Sequence, residues 1–212
     1  MHDELRNIIL GIGKASTGHS IQTVLSFLRK SKTTSREIEK SEFFSKKDEI
    51  KLLIEFANNN QFWHNEINQN TYIGEGAEQK VYLEDNGVFV IKTNDSIFYE
   101  TWNDYFISLL IHNYLFPTTA YQLLGFFENM DKTEFYSVVR QPFIESTSPT
   151  DLSLLKLFLE KNGFQHKKNN DYFNPELSII LEDLHDENVL TNQGVFFIID
   201  SAIYLMNSLE IA

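Results

Sequence analysis

The spacing of apolar residues changes along the chain, and the changes mark its parts. Up to about residue 65 the spacing is helical: Ile21, Val24, Leu25 and Leu28 recur at i, i+3, i+4 and i+7, and Ile50, Leu52, Leu53, Ile54 and Phe56 predict a second amphipathic helix. Ser31 to Lys47, rich in Ser, Thr, Lys and Glu, reads as a solvated connection between them. From Thr71 the pattern becomes strand-like. Thr71 to Leu83 holds an apolar start, a Gly74-Glu75-Gly76 turn and a β-propensity run; Asn86-Gly87 is a hairpin signal, and Val88 to Lys92 returns. A helix is predicted over Ile97 to Leu115, with Asn94, Asp95 and Ser96 as cap candidates and Pro117 beyond its end. Tyr121–Phe127 and Phe135–Val139 predict two more strands. Ser148 to Leu159 starts a helix that stops at Asn162-Gly163, and 164–176 reads as an exposed polar connection. The fold class that follows is α+β, with antiparallel strands in the middle of the chain.

Composition narrows the function. Eighteen Lys and Arg against thirty Asp and Glu give a net charge of -12, the wrong sign for a surface that tracks nucleic acid phosphates. The chain has no cysteine, hence no disulfide framework or thiolate zinc site, and its six His residues show no paired metal-binding spacing. Met1-His2-Asp3-Glu4 has no basic leader character, and Ile8-Ile9-Leu10 is too short for a membrane span, so a cytoplasmic protein without membrane contact is expected. Gly11-Ile12-Gly13-Lys14-Ala15-Ser16 looks like a phosphate loop but lacks the first Gly, where Ile8 stands, and the Ser or Thr, where Ala15 stands.

The candidate chemistry lies near the C-terminus. Ile179-Ile180-Leu181 leads into a polar loop, Glu182 to Asn188, and Phe196 to Ile199 ends in Asp200. Phosphoryl transfer needs a carboxylate to orient the acceptor hydroxyl, and an amide oxygen with a second carboxylate to hold magnesium against nucleotide phosphates. Asp183, Asn188 and Asp200 are available for those roles in the order and spacing of a kinase catalytic loop and its metal-binding Asp. Upstream, Gly74 and Gly76 form a turn whose backbone N–H groups can approach phosphate, and Val90-Ile91-Lys92 ends an apolar strand on a phosphate-gripping Lys. Glu100 and Asp104 are the helix acids that would pair with Lys92, and Asp104 is preferred because it lies deeper in the predicted helix. By position, the Gln141 carbonyl and the Phe143 N–H on either side of Pro142 would meet an adenine.

These segments, in this order over residues 71 to 205, resemble the protein kinase-like superfamily. More narrowly, Ile111-His112-Asn113-Tyr114-Leu115-Phe116-Pro117, Gln141-Pro142-Phe143-Ile144 and Asp183-Leu184-His185-Asp186-Glu187-Asn188-Val189-Leu190 are similar to the small kinase domain in polyvalent proteins of bacterial mobile elements and phages. Asp183-Leu184-His185 is also similar to aminoglycoside and choline phosphotransferases. The resemblance implies a bilobal kinase-like fold: a helical N-terminal extension (1–65), an antiparallel-sheet N-lobe (66–145) and a truncated helical C-lobe (146–212). It implies ATP and Mg2+ as cofactors, Asp183 as the hydroxyl-orienting acid, Asn188 and Asp200 on magnesium, Lys92 on the phosphates and Gly74 to Gly76 above them, with an unknown protein or small-molecule acceptor.

The sequence departs from the pattern where Leu181 replaces the His before the catalytic Asp and Asp200-Ser201-Ala202 replaces Asp-Phe-Gly, with twelve residues after Asp200. The expected activity is transfer of the ATP γ-phosphate to a side-chain or small-molecule hydroxyl. The alternatives are a pseudokinase that binds nucleotide or a partner without turnover, an enzyme that transfers AMP, and an unrelated acidic α+β interaction protein in which the loop acids only cap a turn.

Overall fold

The computed structural model describes residues 3–13, 18–39 and 45–206, and among them five helices and eleven strands form an α+β structure with antiparallel sheets. Helices α1 (Asp3–Leu10), α2 (His19–Glu39) and α3 (Lys46–Asn60) come first. The predicted stripe of Ile21, Val24, Leu25 and Leu28 is buried, as its spacing requires. The connection expected over Ser31 to Lys47 is shorter, because α2 continues to Glu39: its polar run contains no Gly or Pro to stop a helix. Lys40 to Phe44 lie outside the described residues, as do Lys14 to Ser16 of the rejected phosphate-loop pattern. Ser45 caps α3 in a capping box with Asp48.

The middle of the chain forms one antiparallel sheet in the order β1-β2-β3-β5-β4, from β1 (Tyr72–Glu75), β2 (Gln79–Leu83), β3 (Phe89–Asn94), β4 (Gln122–Glu128) and β5 (Phe135–Pro142). Helix α4 (Trp102–Leu115) packs between this sheet and the first three helices, which explains why it is apolar nearly all round. Trp102, Phe106, Phe126 and Phe135 form its aromatic contact with the sheet; the last two rings stack with centroids 5.1 Å apart. Gly125 is required here: a Cβ would lie 2.6 Å from the Phe62 carbonyl oxygen, whose bond to the Phe126 N–H ties the chain after α3 to β4.

Helix α4 begins at Trp102, not at Ile97. Its cap is Thr101, while the Asn94 and Asp95 side chains accept the N–H groups of Ser96 and Ile97 in local turns. Two ties from α3 fix this entry. The fully buried Glu49 carboxylate accepts the Trp102 N–H at 2.6 Å and meets Lys32 at 2.5 Å, and Lys46 Nζ donates to the carbonyls of Ser96 and Tyr99.

The segment expected to be a truncated helical lobe is mostly strand. After α5 (Leu152–Lys161) come β6 (Gln165–Lys168), β7 (Asp171–Asn174), β8 (Ile179–Glu182), β9 (Val189–Asn192), β10 (Val195–Ile198) and β11 (Ala202–Leu205). They form a four-stranded sheet, β11-β8-β7-β6, and a β9–β10 hairpin. The polar connection predicted over 164–176 is the β6–β7 hairpin, turned at Asn169 with φ +46°. Strand β6 is an edge strand exposed at every position, so it carries no alternation to betray it. No helix among the described residues is long and apolar enough to cross a membrane.

His112, buried near the end of α4, bonds through Nε2 with the Thr119 carbonyl at 3.0 Å. Burial lowers its pKa from 6.5 to about 3, against the raising effect of that bond. The unfolded chain therefore binds a proton that the folded protein refuses: the contribution is complete above pH 6.5 and falls away as pH drops toward 3. Glu78, raised to about 7 in the fold, has the opposite slope over part of that range, so the test is a difference. Urea unfolding at pH 7 and pH 5 is expected to show wild type losing about 2 kcal/mol more stability than His112→Gln on acidification.

Candidate active site

Two strand registers assemble the C-terminal half of the site. β11 runs antiparallel to β8 with Ala202 opposite Glu182, so Asp183, one residue past β8, and Asp200, two residues before β11, emerge at the same end. In the β9–β10 hairpin Val189 lies opposite Ile198, and the Asn188 carbonyl accepts the N–H groups of Ile199 at 2.9 Å and Asp200 at 3.3 Å. The turn itself holds Asp183 at φ +68°, a left-handed conformation uncommon outside Gly and best tolerated by Asn and Asp. The Asn188 amide nitrogen donates to the Asp183 carbonyl at 2.9 Å and carboxylate at 3.2 Å, and His185 Nε2 lies 3.4 Å from the other carboxylate oxygen.

The other half comes from the larger sheet. Val81 pairs with Lys92 and Gln79 with Asn94 across β2 and β3, which sets these residues on one face. Lys92 is only 3% exposed, and its Nζ donates to the Ile199 carbonyl at 3.0 Å, one residue before Asp200. Tyr121 donates its hydroxyl to the same carbonyl at 2.7 Å and places its ring 5.5 Å from the Lys92 ammonium. The Gln79 side-chain amide donates to the Asp200 carboxylate. Burial pushes the Lys92 pKa down, while Asp200 first and Glu78 second pull it back. Burial pushes Asp200 up, opposed chiefly by Lys92.

A cleft of about 700 Å³ joins the halves, and Gly74, Gly76, Lys92, Gln141, Phe143, Asp183, Asn188 and Asp200 all line it. Its polar end is at Lys92 and Asp200. Val81, Val90, Ile144 and Leu190 wall the remainder, the apolar slot a nucleobase needs. A Cβ on Gly74 would meet no protein atom within 4 Å, so packing does not demand the glycine. Among the described residues no three His, Cys, Asp or Glu side chains gather as a self-sufficient metal site. Magnesium has no need of one, being bound by one or two protein oxygens plus water and substrate phosphates. Asp200 and Asn188 suit that demand.

Three expectations change. Asp104 does not pair with Lys92: it sits in the first turn of α4, where its N–H bonds to Thr101 Oγ1 at 3.0 Å and its carboxylate accepts the Thr101 hydroxyl at 2.6 Å. Thr101-Trp102-Asn103-Asp104 is a capping pattern, and that local bond satisfies the acid. Glu100 is exposed ahead of the helix. Phe143 does not offer its N–H to an adenine, because that group already donates to the Val88 carbonyl at 2.9 Å as the β3–β5 ladder runs past Pro142. Gln141 stays in β5 opposite Val90, its side chain donating inward to Thr119. Sequence reasoning missed Glu78, Gln79, Tyr121 and the apolar walls. The two acids of Gly-Glu-Gly-Ala-Glu were the signal for Glu78.

A family model described as Serine/Threonine/Tyrosine Kinase found in polyvalent proteins matches residues 46–207. Neither the curated proteins nor the solved structures searched gave a match.

Asp104 lies in the matched segment, yet its work is confined to the helix end. Asp104→Ala is expected to cost about 1 kcal/mol of stability, the usual value of a lost capping interaction. Denaturant midpoints should report that loss, while calorimetric titration with magnesium and ATP shows the wild-type affinity.

Proposed function

We propose that this chain, which belongs to the Ser/Thr/Tyr kinase family found in polyvalent proteins, uses ATP and Mg2+ to transfer the γ-phosphate to the hydroxyl of a protein side chain or small molecule. The observation that supports this reading is the meeting of Lys92, Asp183, Asn188 and Asp200 on one cleft, from strands far apart in the chain. On this reading the sheet β1–β5 acts as the N-lobe and the segment after about residue 145 as a small C-lobe.

The adenine lies between Val81 and Val90 on one side and Leu190 on the other, and the phosphates run under the Gly74–Gly76 turn to Lys92. Lys92 has three N–H bonds and spends one on the Ile199 carbonyl, which leaves others for phosphate oxygens. Asp200 and the amide oxygen of Asn188 would hold the magnesium, which would supply positive charge against the phosphoryl group. Asn188 is oriented for this because its amide nitrogen is engaged by Asp183. The Gln79 amide, which donates to the Asp200 carboxylate, would have to give it up to such a cation. Asp183, with its side chain 66% exposed, faces the acceptor: it takes the hydroxyl proton as that oxygen bonds to the γ-phosphorus and the bond to the β,γ-bridging oxygen breaks, releasing ADP.

Two variants separate binding from chemistry. A thermal shift produced by magnesium and ATP in wild type should vanish in Asp200→Ala, since only ligand bound to the folded state stabilises it. Asp183→Asn should keep the shift and lose about 10²–10⁴-fold in turnover, read as phosphate incorporated by mass spectrometry after incubation with an acceptor mixture or with the protein itself. An undiminished shift in Asp200→Ala, or wild-type transfer by Asp183→Asn, contradicts the assignment. Wild type that binds magnesium and ATP and transfers to nothing is a non-catalytic nucleotide-binding module.

A further inference from the structure

The phosphotransferase reading asks Asp200 to accept a cation, and in the ligand-free protein that carboxylate already has a partner. The Gln79 side-chain amide donates to its Oδ2 from the other half of the molecule, 121 residues away in sequence. Gln79 opens β2 directly after the glycine turn, Asp200 precedes β11, and both line the cleft.

We propose that Gln79 is an internal competitor for the cation at Asp200, and that it sets how tightly the site holds the magnesium-bound nucleotide. The proposal rests on the phosphotransferase reading and adds a regulation of the same site. Its first support is the fixed backbone of Gln79. The carbonyl accepts the Gly76 N–H at 2.9 Å, and the residue pairs with Asn94 where the β2–β3 ladder ends. The amide is thereby held next to Asp200 as an intramolecular partner at high effective concentration. Rotation about the side-chain bonds is enough to release the carboxylate, because the ladder keeps the backbone in place.

The second support is the direction of approach. Gln79 belongs to the turn whose Gly74 and Gly76 line the same cleft, so it meets Asp200 from the side on which the phosphates would lie. The third is the chemistry of the pair. An amide that donates to a carboxylate makes a charge-assisted bond but brings no positive charge. It satisfies an oxygen of Asp200 without neutralising the acid, which a divalent cation does as well. Gln79 therefore weakens cation binding without forbidding it. The same contact could serve the opposite purpose, steadying a metal-bound carboxylate from outside, and the two roles differ in the sign of the effect on affinity.

The test compares wild type with Gln79→Ala on the full chain by calorimetric titration with ATP, once with magnesium in excess and once with magnesium removed by EDTA. With magnesium the variant should bind about tenfold more tightly, the low end of what a hydrogen bond to a charged group is worth. Without magnesium its affinity should equal that of wild type. In the ligand-free protein, denaturant midpoints of Gln79→Ala, Asp200→Ala and the double variant report the contact itself: the loss in the double variant should be smaller than the sum of the two single losses. Unchanged or weaker magnesium-ATP binding by Gln79→Ala, a gain that persists without magnesium, or stability losses that simply add, each overturns the proposal and leaves the phosphotransferase reading intact. Failure of both proteins to bind magnesium-ATP overturns both.

Discussion

A positive charge held out of water governs this structure. Lys92 lies on a central strand of the larger sheet, almost wholly buried, and burial pushes its pKa down. The groups that the chain sets around it oppose that push. The Ile199 carbonyl and the Tyr121 ring reach it from separate stretches of sequence, and the Asp200 charge acts on it first among the acids. Each of those stretches is positioned by strand register. The pairing of β8 with β11 and of β9 with β10 delivers Ile199 and Asp200, and β2 against β3 delivers Gln79. A buried lysine at the inner end of a cleft is a costly arrangement to maintain for stability alone.

The site divides its labour by exposure. Lys92 and Asp200 sit at the inner end of the cleft, where low polarity strengthens their hold on charge. Asp183 stands outside on a left-handed turn, its side chain open to solvent. The helices ahead of the sheet contribute indirectly. Glu49 and Lys46 hold the entry to α4, and α4 in turn backs the sheet that carries Lys92. The buried Glu49 is an expensive clamp, stabilised by its two partners, Lys32 and the Trp102 N–H.

What the sequence disclosed depended on whether a residue's role was set by local spacing or by pairing across the fold. That Asp183, Asn188 and Asp200 would meet on one cleft was legible because the loop and hairpin joining them are short and fix their separations. Lys92 was legible as a Lys closing an apolar strand. Asp104 misled because two local rules competed: helix periodicity aimed it at the sheet, and the nearer Thr101 hydroxyl captured it. Phe143 misled because the β3–β5 ladder continues one pair beyond the proline, a fact no single strand announces. The edge strand β6 left no hydrophobic trace, and with it went the strand-rich character of the C-terminal part.

The account is tested most directly by a crystal structure of the protein with magnesium and a non-hydrolysable ATP analogue. It predicts the triphosphate within hydrogen-bonding distance of Lys92 Nζ, a magnesium ion on Asp200 and Asn188, and the base between Val81, Val90 and Leu190. Nucleotide bound elsewhere on the surface, or a cleft still closed by Gln79 on Asp200 at saturating ligand, would contradict it.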